Sequence, residues 1–284
     1  MGHCEIVGLG KYMKKINDIK EVHSILYDTL CYLDDFCKKN KIKYFLSNGT
    51  ALGAAKYGDF IPWDDDVDVL MPREDYDRLM QLADINNGKY RLLCVQQVPL
   101  WRMPYAKLSC EDTVVNEGEY NFGATFGLSV DIFPIDNWSS SALIAKCQSV
   151  ESELLKRLLV CSIGGAFSTK KTGLKRFILK GIWKTGKAIG YARLQKSLLA
   201  KASKPDGKSR YAGCRVWTCH LTGEIFPSHY FEETVYLDFR NRKFPTIRYY
   251  ENYLSSLYGS WREDLPLDKQ HSNHEITVWY KDEE

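Results

Sequence analysis

At 284 residues, 44% hydrophobic and 13% aromatic, the chain can bury a large core, which excludes a disordered or fibrous protein. The net charge of +3 averages two unlike parts: residues 156–210 hold fifteen Lys and Arg against one acid, Asp206, leaving 24 bases and 35 acids elsewhere. Nine cysteines, an odd number without a CxxC pair, argue against a disulfide framework, and no run of 18 apolar residues is present to span a membrane. The opening residues, MGHCEIVGLGKYMKKINDIK, lack an uninterrupted apolar stretch and a small-residue cleavage site, so a cytoplasmic protein is expected.

Taken in chain order, Ile16, Ile19, Val22, Leu26, Leu30 and Leu33 recur at steps of three and four, which predicts an amphipathic helix over 15–37. KNKIKYFLS reads as a buried strand ended by Gly49-Thr50, and ALGAAKY as a short helical turn. VDVLM is β-branched and alternating, and PREDYDRLMQL opens with Pro and acids as helix starts do. Residues 90–97, 103–109 and 128–133 are further strand candidates. Residues 141–204 read as two or three helices broken near GGAFSTKKTG. TVYLDFRNRKFPTI then predicts a hairpin turning near Asn241, and YYENYLSSLYG a helix stopped by Gly259. The fold class is therefore α/β: a mixed-sheet core with flanking helices and a basic helical insertion. The expected organisation is a core over 1–140, the insertion over 141–210, and a C-terminal hairpin and helix over 211–284 completing the same domain.

The segment IPWDDDVD places four carboxylates in five positions. On an extended strand side chains alternate, so Asp64, Asp66 and Asp68 can share a face while Val67 and Val69 turn to the core. Three carboxylates held that close cannot all ionise near neutrality without a compensating cation. Hard oxygen ligands suit Mg²⁺ or Mn²⁺, which bind through one or two carboxylates plus waters and substrate phosphates. Asp131, between Val130 and Ile132, has the setting for a further carboxylate on a neighbouring strand.

Other readings of the cluster fare less well. An EF-hand loop starting at Asp64 would carry Val69 where Gly is needed and Asp75 where Glu is needed, and Pro72 interrupts it. A sugar-nucleotide glycosyltransferase also uses an acid-x-acid pair, which DVD alone does not separate. An exposed acidic turn leaves the β-branched alternation after it unexplained. Cys214, Cys219 and His220 in CRVWTCH lack the rest of a zinc ligand set.

Upstream, SNGTALGAAKYGDFIPWDDDVDV joins Gly49-Thr50 at the start of a turn to Asp-x-Asp on the next strand, so backbone N–H groups can hold a phosphate beside the acids. That arrangement resembles the nucleotidyltransferase superfamily. The longer run YFLSNGTALGAAKYGDFIPWDDDVDVLMPREDYDRL resembles the signature of the LicD/fukutin family, whose members transfer phosphocholine or related phospho-alditol groups from CDP-activated donors to glycans. YAKLSCEDT, VDIFPID and KFPTIRYYENYLSSLYGSWREDLP are similar to later family blocks, so the likeness spans roughly residues 20–275 and is weakest across 140–215. Lys56-Tyr57 stand where the family commonly has Arg-His, and Ser260 where Asp is usual, which leaves the acids intact and puts substrate identity in doubt.

The resemblance implies a nucleotidyltransferase-like fold, metal binding by Asp64, Asp66 and Asp68, and a further carboxylate, ligand or general base, at Asp131. It implies a CDP-activated donor such as CDP-choline, and a glycan or lipid-linked oligosaccharide acceptor. Donor-binding candidates are Gly49, Thr50, Lys56, Trp63, Lys107 and His274; Lys107 reads equally well as a solvated strand residue, and His274 as an incidental tail residue. Trp101, Tyr105, Phe133 and Trp138 could cage a quaternary ammonium, although the same residues make an ordinary core. The competing functions are transfer of the nucleotide half of a donor, glycosyl transfer, and a catalytically silent binding subunit, against which the intact Asp66 and Asp68 argue.

The basic insertion interleaves cations with Leu, Ile, Phe and Trp, as helices lying on anionic lipid do. Peripheral association with an anionic membrane is the expected use. Nucleic acid is the lesser expectation, and a solvated basic face without a partner is the plain one.

Overall fold

The computed structural model describes residues 14–118, 120–203, 209–218, 220–271 and 276–281. After a two-residue strand, β1 (Lys15–Ile16), the Asp18 side chain accepts the Lys20 backbone N–H at 2.9 Å and caps helix α1 (Ile19–Asn40). The three-and-four spacing then turns Val22, Leu26, Leu30 and Leu33 inward. Next come β2 (Phe45–Leu46), α2 (Asn48–Tyr57), β3 (Val67–Pro72), α3 (Arg73–Leu79), β4 (Tyr90–Leu93), β5 (Ala106–Cys110), β6 (Thr113–Glu117) and β7 (Ser129–Asn137).

The central sheet runs β2–β3–β7–β5–β4, with β3 and β7 parallel and the other neighbours antiparallel. The first eight residues of β7 are all buried, as expected of a strand covered on both faces. Helix α3 is tied to its far end by Arg73, whose guanidinium donates to both oxygens of Asp136 at 2.8 and 2.9 Å. The second acid of VDIFPID is thus a buried structural partner.

Three helices follow: α4 (Ala142–Ile163), α5 (Gly173–Ile189) and α6 (Tyr191–Ala202), broken at 164–172 as the GGAFSTKKTG run predicts. Helix α6 docks on the core through Gln195, whose Nε2 donates to the carbonyls of Trp101 (3.0 Å) and Met103 (2.9 Å) just before β5. Then β8 (Tyr211–Gly213) pairs with the end of β7 and with β9 (Phe226–Pro227). β10 (Thr234–Phe239) and β11 (Arg242–Ile247) form the expected hairpin, turning at Arg240-Asn241. Helix α7 (Tyr250–Tyr258) stops at Gly259. β12 (Ile276–Tyr280) pairs with both β1 and β6.

Several expectations shift. The 90–97 strand ends at Leu93, because Cys94–Val98 closes a turn in which Val98 N–H donates to the Cys94 carbonyl at 2.9 Å. The strand expected over 128–133 continues to Asn137 through Pro134, which lies beyond the last pair with β5, Ala106 with Ile132. Strands β6 and β12, which pair with each other, are not among the strand candidates of the sequence. Asp64 and Asp66 precede the strand, which begins only at Val67, so the three acids do not share one strand face. Among the described residues, no helix is long and apolar enough to cross a membrane.

Candidate active site

Pairing register assembles the site. Asp68 on β3 lies opposite Asp131 on β7, and Asp131 lies opposite Lys107 on β5, so an acid, an acid and a base form one row across three strands. Lys107 Nζ donates to both Asp131 oxygens, each at 2.7 Å, and the Ser129 hydroxyl donates to one of them at 3.3 Å. Burial opposes the Lys107 ammonium, yet Asp131, Glu117 and Asp66 outweigh it and raise its pKa. At 6% exposure Lys107 is not the solvated strand residue that was one of its two readings.

Asp68 is held from two sides. Its backbone N–H donates to the Thr50 hydroxyl at 2.8 Å, and one carboxylate oxygen accepts from Asn48 Nδ2 at 3.0 Å. Asn48 adopts a left-handed conformation (φ 44°), which Asn tolerates better than most residues. Its backbone N–H donates to the Tyr253 hydroxyl (3.2 Å), which donates in turn to Asn48 Oδ1 (3.0 Å), so α7 braces the start of α2. Burial first, then repulsion from Asp66 and Asp131, holds the Asp68 carboxyl well above the usual carboxylate range.

Asp64 and Asp66 come from the loop before β3. His23 on α1 stacks on Phe60 at 4.2 Å and donates from Nε2 to the Asp64 carbonyl at 2.6 Å, fixing that loop. Burial and the neighbouring Asp66 and Asp65 charges push the Asp64 carboxyl up to about 8. Its side chain presses on Gly49, where an added Cβ would sit 2.5 Å from Asp64 Oδ2. Gly49 is required by this close approach, so Gly49→Ala displaces the Asp64 carboxylate. The expected outcome is a fall in activity of about 10²-fold with an unchanged circular dichroism spectrum.

These groups line a cavity of about 540 Å³, large enough for a nucleotide-sized ligand. Asp64, Asp66, Asp68 and Asp131 all reach it, as do Gly49, Trp63 and Lys107. Thr50 does not line it; its hydroxyl accepts the Asp68 N–H and ties the start of α2 to β3. Lys56 lines the rim, but its ammonium donates to the Glu263 carbonyl (2.7 Å) and pairs with Asp264 (2.9 Å), strapping the segment after α7 to α2. His274 lies outside the described residues.

The proposed aromatic group divides. Trp101 and Trp138 are core residues, 1% and 0% exposed. Tyr105 and Phe133 do line the cavity, joined by Trp217, whose ring centroid is 5.1 Å from that of Tyr105. Lys156 of α4 sits over Trp217 at 5.6 Å, so one wall meets the basic insertion.

Sequence reasoning missed His23, Asn48, Tyr253 and Trp217. His23 had a signal, a polar residue inside the apolar stripe of α1. The others are defined by partners up to 205 residues away and had none. Among the described residues, no three His, Cys, Asp or Glu side chains are already gathered so as to hold a metal by themselves. The zinc candidate falls further: Cys214 is buried with its thiol pushed well up, and Cys219 lies outside the described residues.

The parallel β3–β7 pair carries acids at one end, and α2 begins beside them at Asn48, so helix-start N–H groups and carboxylates adjoin one cavity. Residues 41–149 match the family model described as "LicD/FKTN/FKRP, nucleotidyltransferase domain". Among known relatives, the chain is 24% identical over 276 residues to the lipopolysaccharide cholinephosphotransferase LicD of Haemophilus influenzae, covering 94% of this chain and 99% of that one. It is 38% identical over 63 residues to the ribitol 5-phosphate transferase FKRP of Homo sapiens and of Mus musculus, covering 22% of this chain and 13% of theirs. The relatives named for an activity are phosphotransferases, which makes transferase chemistry the family context of this site.

Proposed function

We propose that this chain moves phosphocholine, or a related phosphoethanolamine or phospho-alditol group, from a CDP-activated donor to a hydroxyl of a cell-surface glycan or its lipid-linked precursor, releasing CMP. The observation that carries this reading is the row Asp68–Asp131–Lys107 under a cavity that Asp64 and Asp66 enter from the side.

The donor set suits a hard divalent cation. It is all oxygen, and like charges are crowded so closely that Asp64 and Asp68 resist ionisation. The arrangement fits Mg²⁺ or Mn²⁺ bound by carboxylates drawn from Asp64, Asp66 and Asp68 and otherwise by substrate phosphates and water. Such an ion, when bound, neutralises charge on the transferring and leaving oxygens.

The chain's own groups do the rest. The first backbone N–H groups of α2, beside Gly49, face donor phosphate. Both Asp131 oxygens accept from Lys107 and keep further lone pairs, so Asp131 can take the acceptor hydroxyl's proton while Lys107 balances its charge. Trp63, Tyr105, Phe133 and Trp217 shape the walls that select cargo and acceptor.

The test is donor turnover. Purified protein with Mg²⁺ is given CDP-choline, CDP-ethanolamine, CDP-ribitol or CDP-glycerol and a glycolipid acceptor, and CMP is followed. One donor should yield CMP with its cargo on glycan, and the Asp66→Ala/Asp68→Ala variant should not. Consumption of sugar nucleotides or nucleoside triphosphates instead would assign the site to the other transfer chemistries.

Metal dependence has a readout separate from turnover. Asp64 binds its proton more tightly folded, about 8, than at the ordinary value of 3.8, so its contribution to stability is complete below about pH 4 and is lost as pH rises through 8. His23 and His220, lowered by burial, act in the opposite sense only up to their ordinary value of 6.5. With a chelator present, the melting temperature should fall between about pH 7 and about pH 9. Mg²⁺ should remove that fall; an identical fall with Mg²⁺ would reject the cation site.

A further inference from the structure

Helix α5 has three faces. Its packed face is Ile182, Trp183 and Gly186: a Cβ on Gly186 would sit 2.4 Å from the Leu158 carbonyl, and Trp183 Nε1 donates to the Gly165 carbonyl at 3.3 Å. Lys187 Nζ reaches the Ser162 carbonyl at 3.2 Å, so α5 runs antiparallel to α4 with residues 183–187 level with 158–165. Everything before Ile182 therefore extends past the end of α4, by roughly 15 Å at the helical rise. At one revolution per 3.6 residues, Arg176, Lys180 and Lys184 form a second, basic face. The third face carries Leu174, Phe177 and Ile178, exposed by 73%, 76% and 51%.

We propose that this projecting half of α5 is a docking surface for an anionic phospholipid bilayer, lying in the interface plane with Leu174, Phe177 and Ile178 among the acyl chains and the basic row against the headgroups. Charge complementarity selects the occupant. α5 contains five Lys and Arg and no acid, and Lys170 and Lys171 stand just before it. A second copy of this chain would bring the same positive charge to the contact. Nucleic acid would use the cations but has no place for an exposed Leu-Phe-Ile face beside them. The exposed apolar positions of α4, Leu143, Val150 and Leu154, lack this pattern, because Glu151 and Glu153 lie among them. The inference goes beyond the proposed reaction, and binding is measured without donor or acceptor.

Full-length protein is sedimented with vesicles of phosphatidylcholine and phosphatidylglycerol in equal parts, and with phosphatidylcholine alone. Binding should need the anionic lipid and weaken with salt, since the attraction fades over about 8 Å at physiological ionic strength. Lys175→Glu/Arg176→Glu/Lys180→Glu should weaken it by at least about a hundredfold. Phe177→Ser/Ile178→Ser should weaken it by about tenfold, showing insertion as well as attraction. All five positions are exposed, so the circular dichroism spectrum should not change. Absence of wild-type binding, or binding indifferent to Phe177→Ser/Ile178→Ser, would overturn the proposal. So would a dimer in solution that this variant dissociates, or binding to a DNA duplex but not to vesicles.

Discussion

Asp68→Asn should lower CMP release by about a thousandfold or more while making the metal-free protein more stable. The first effect follows from removing a charge at the β3 end of the row facing the cavity, where preorganised electrostatics supplies most of the rate. The second follows from the strain that row carries: burial and the charges of Asp66 and Asp131 oppose ionisation of Asp68, and an amide ends that opposition. Asparagine keeps the shape and can still accept the hydrogen bond from Asn48 Nδ2. In chelator near pH 8, the melting temperature should rise by a few degrees, since about 1 kcal/mol corresponds to ~2–4 °C for a chain of this size. Opposite signs for activity and stability distinguish a functional charge from a structural one. A variant both inactive and less stable would mean that Asp68 belongs to the core.

Lys107→Met should be the most destabilising single change in the site. It leaves the Asp131 carboxylate, 9% exposed and bonded to the Ser129 hydroxyl at 3.3 Å, without its counter-charge. Breaking a buried pair from one side costs about 3–5 kcal/mol, because the charge left behind is uncompensated. Removing the second partner as well, in Lys107→Met/Asp131→Asn, should recover most of that loss in urea unfolding while activity stays absent. Failure of the double variant to recover would show that Lys107 acts through its packing on Tyr105 and Phe126, over whose rings its ammonium lies at 5.6 and 5.3 Å.

Local features were legible wherever one residue type has one physical use. The α1 stripe, the break at 164–172, the hairpin turn beside Asn241 and the stop at Gly259 each follow from side-chain periodicity or backbone permissiveness within a few residues. Asp64, Asp66 and Asp68 could be nominated because crowded carboxylates are costly and need a reason, and Asp131 because it stands between two core-facing strand residues. A hydroxyl at a helix start can serve a ligand, the next strand or both, and only the folded chain brings Thr50 within 2.8 Å of the Asp68 N–H. The partners of Lys56, Glu263 and Asp264, lie still farther along the chain.

By itself, then, the sequence determined the α/β class, the acid cluster and the charge division between the insertion and the rest, all properties of neighbours along the chain. Tertiary structure alone decided register and partnership. It set Lys107 opposite Asp131 opposite Asp68, brought His23 and Tyr253 to the loops they brace, and turned Leu174, Phe177 and Ile178 outward. The reason is that strand pairing and helix docking depend on surfaces far apart in sequence, and a shift of one residue in either would redirect every side chain involved.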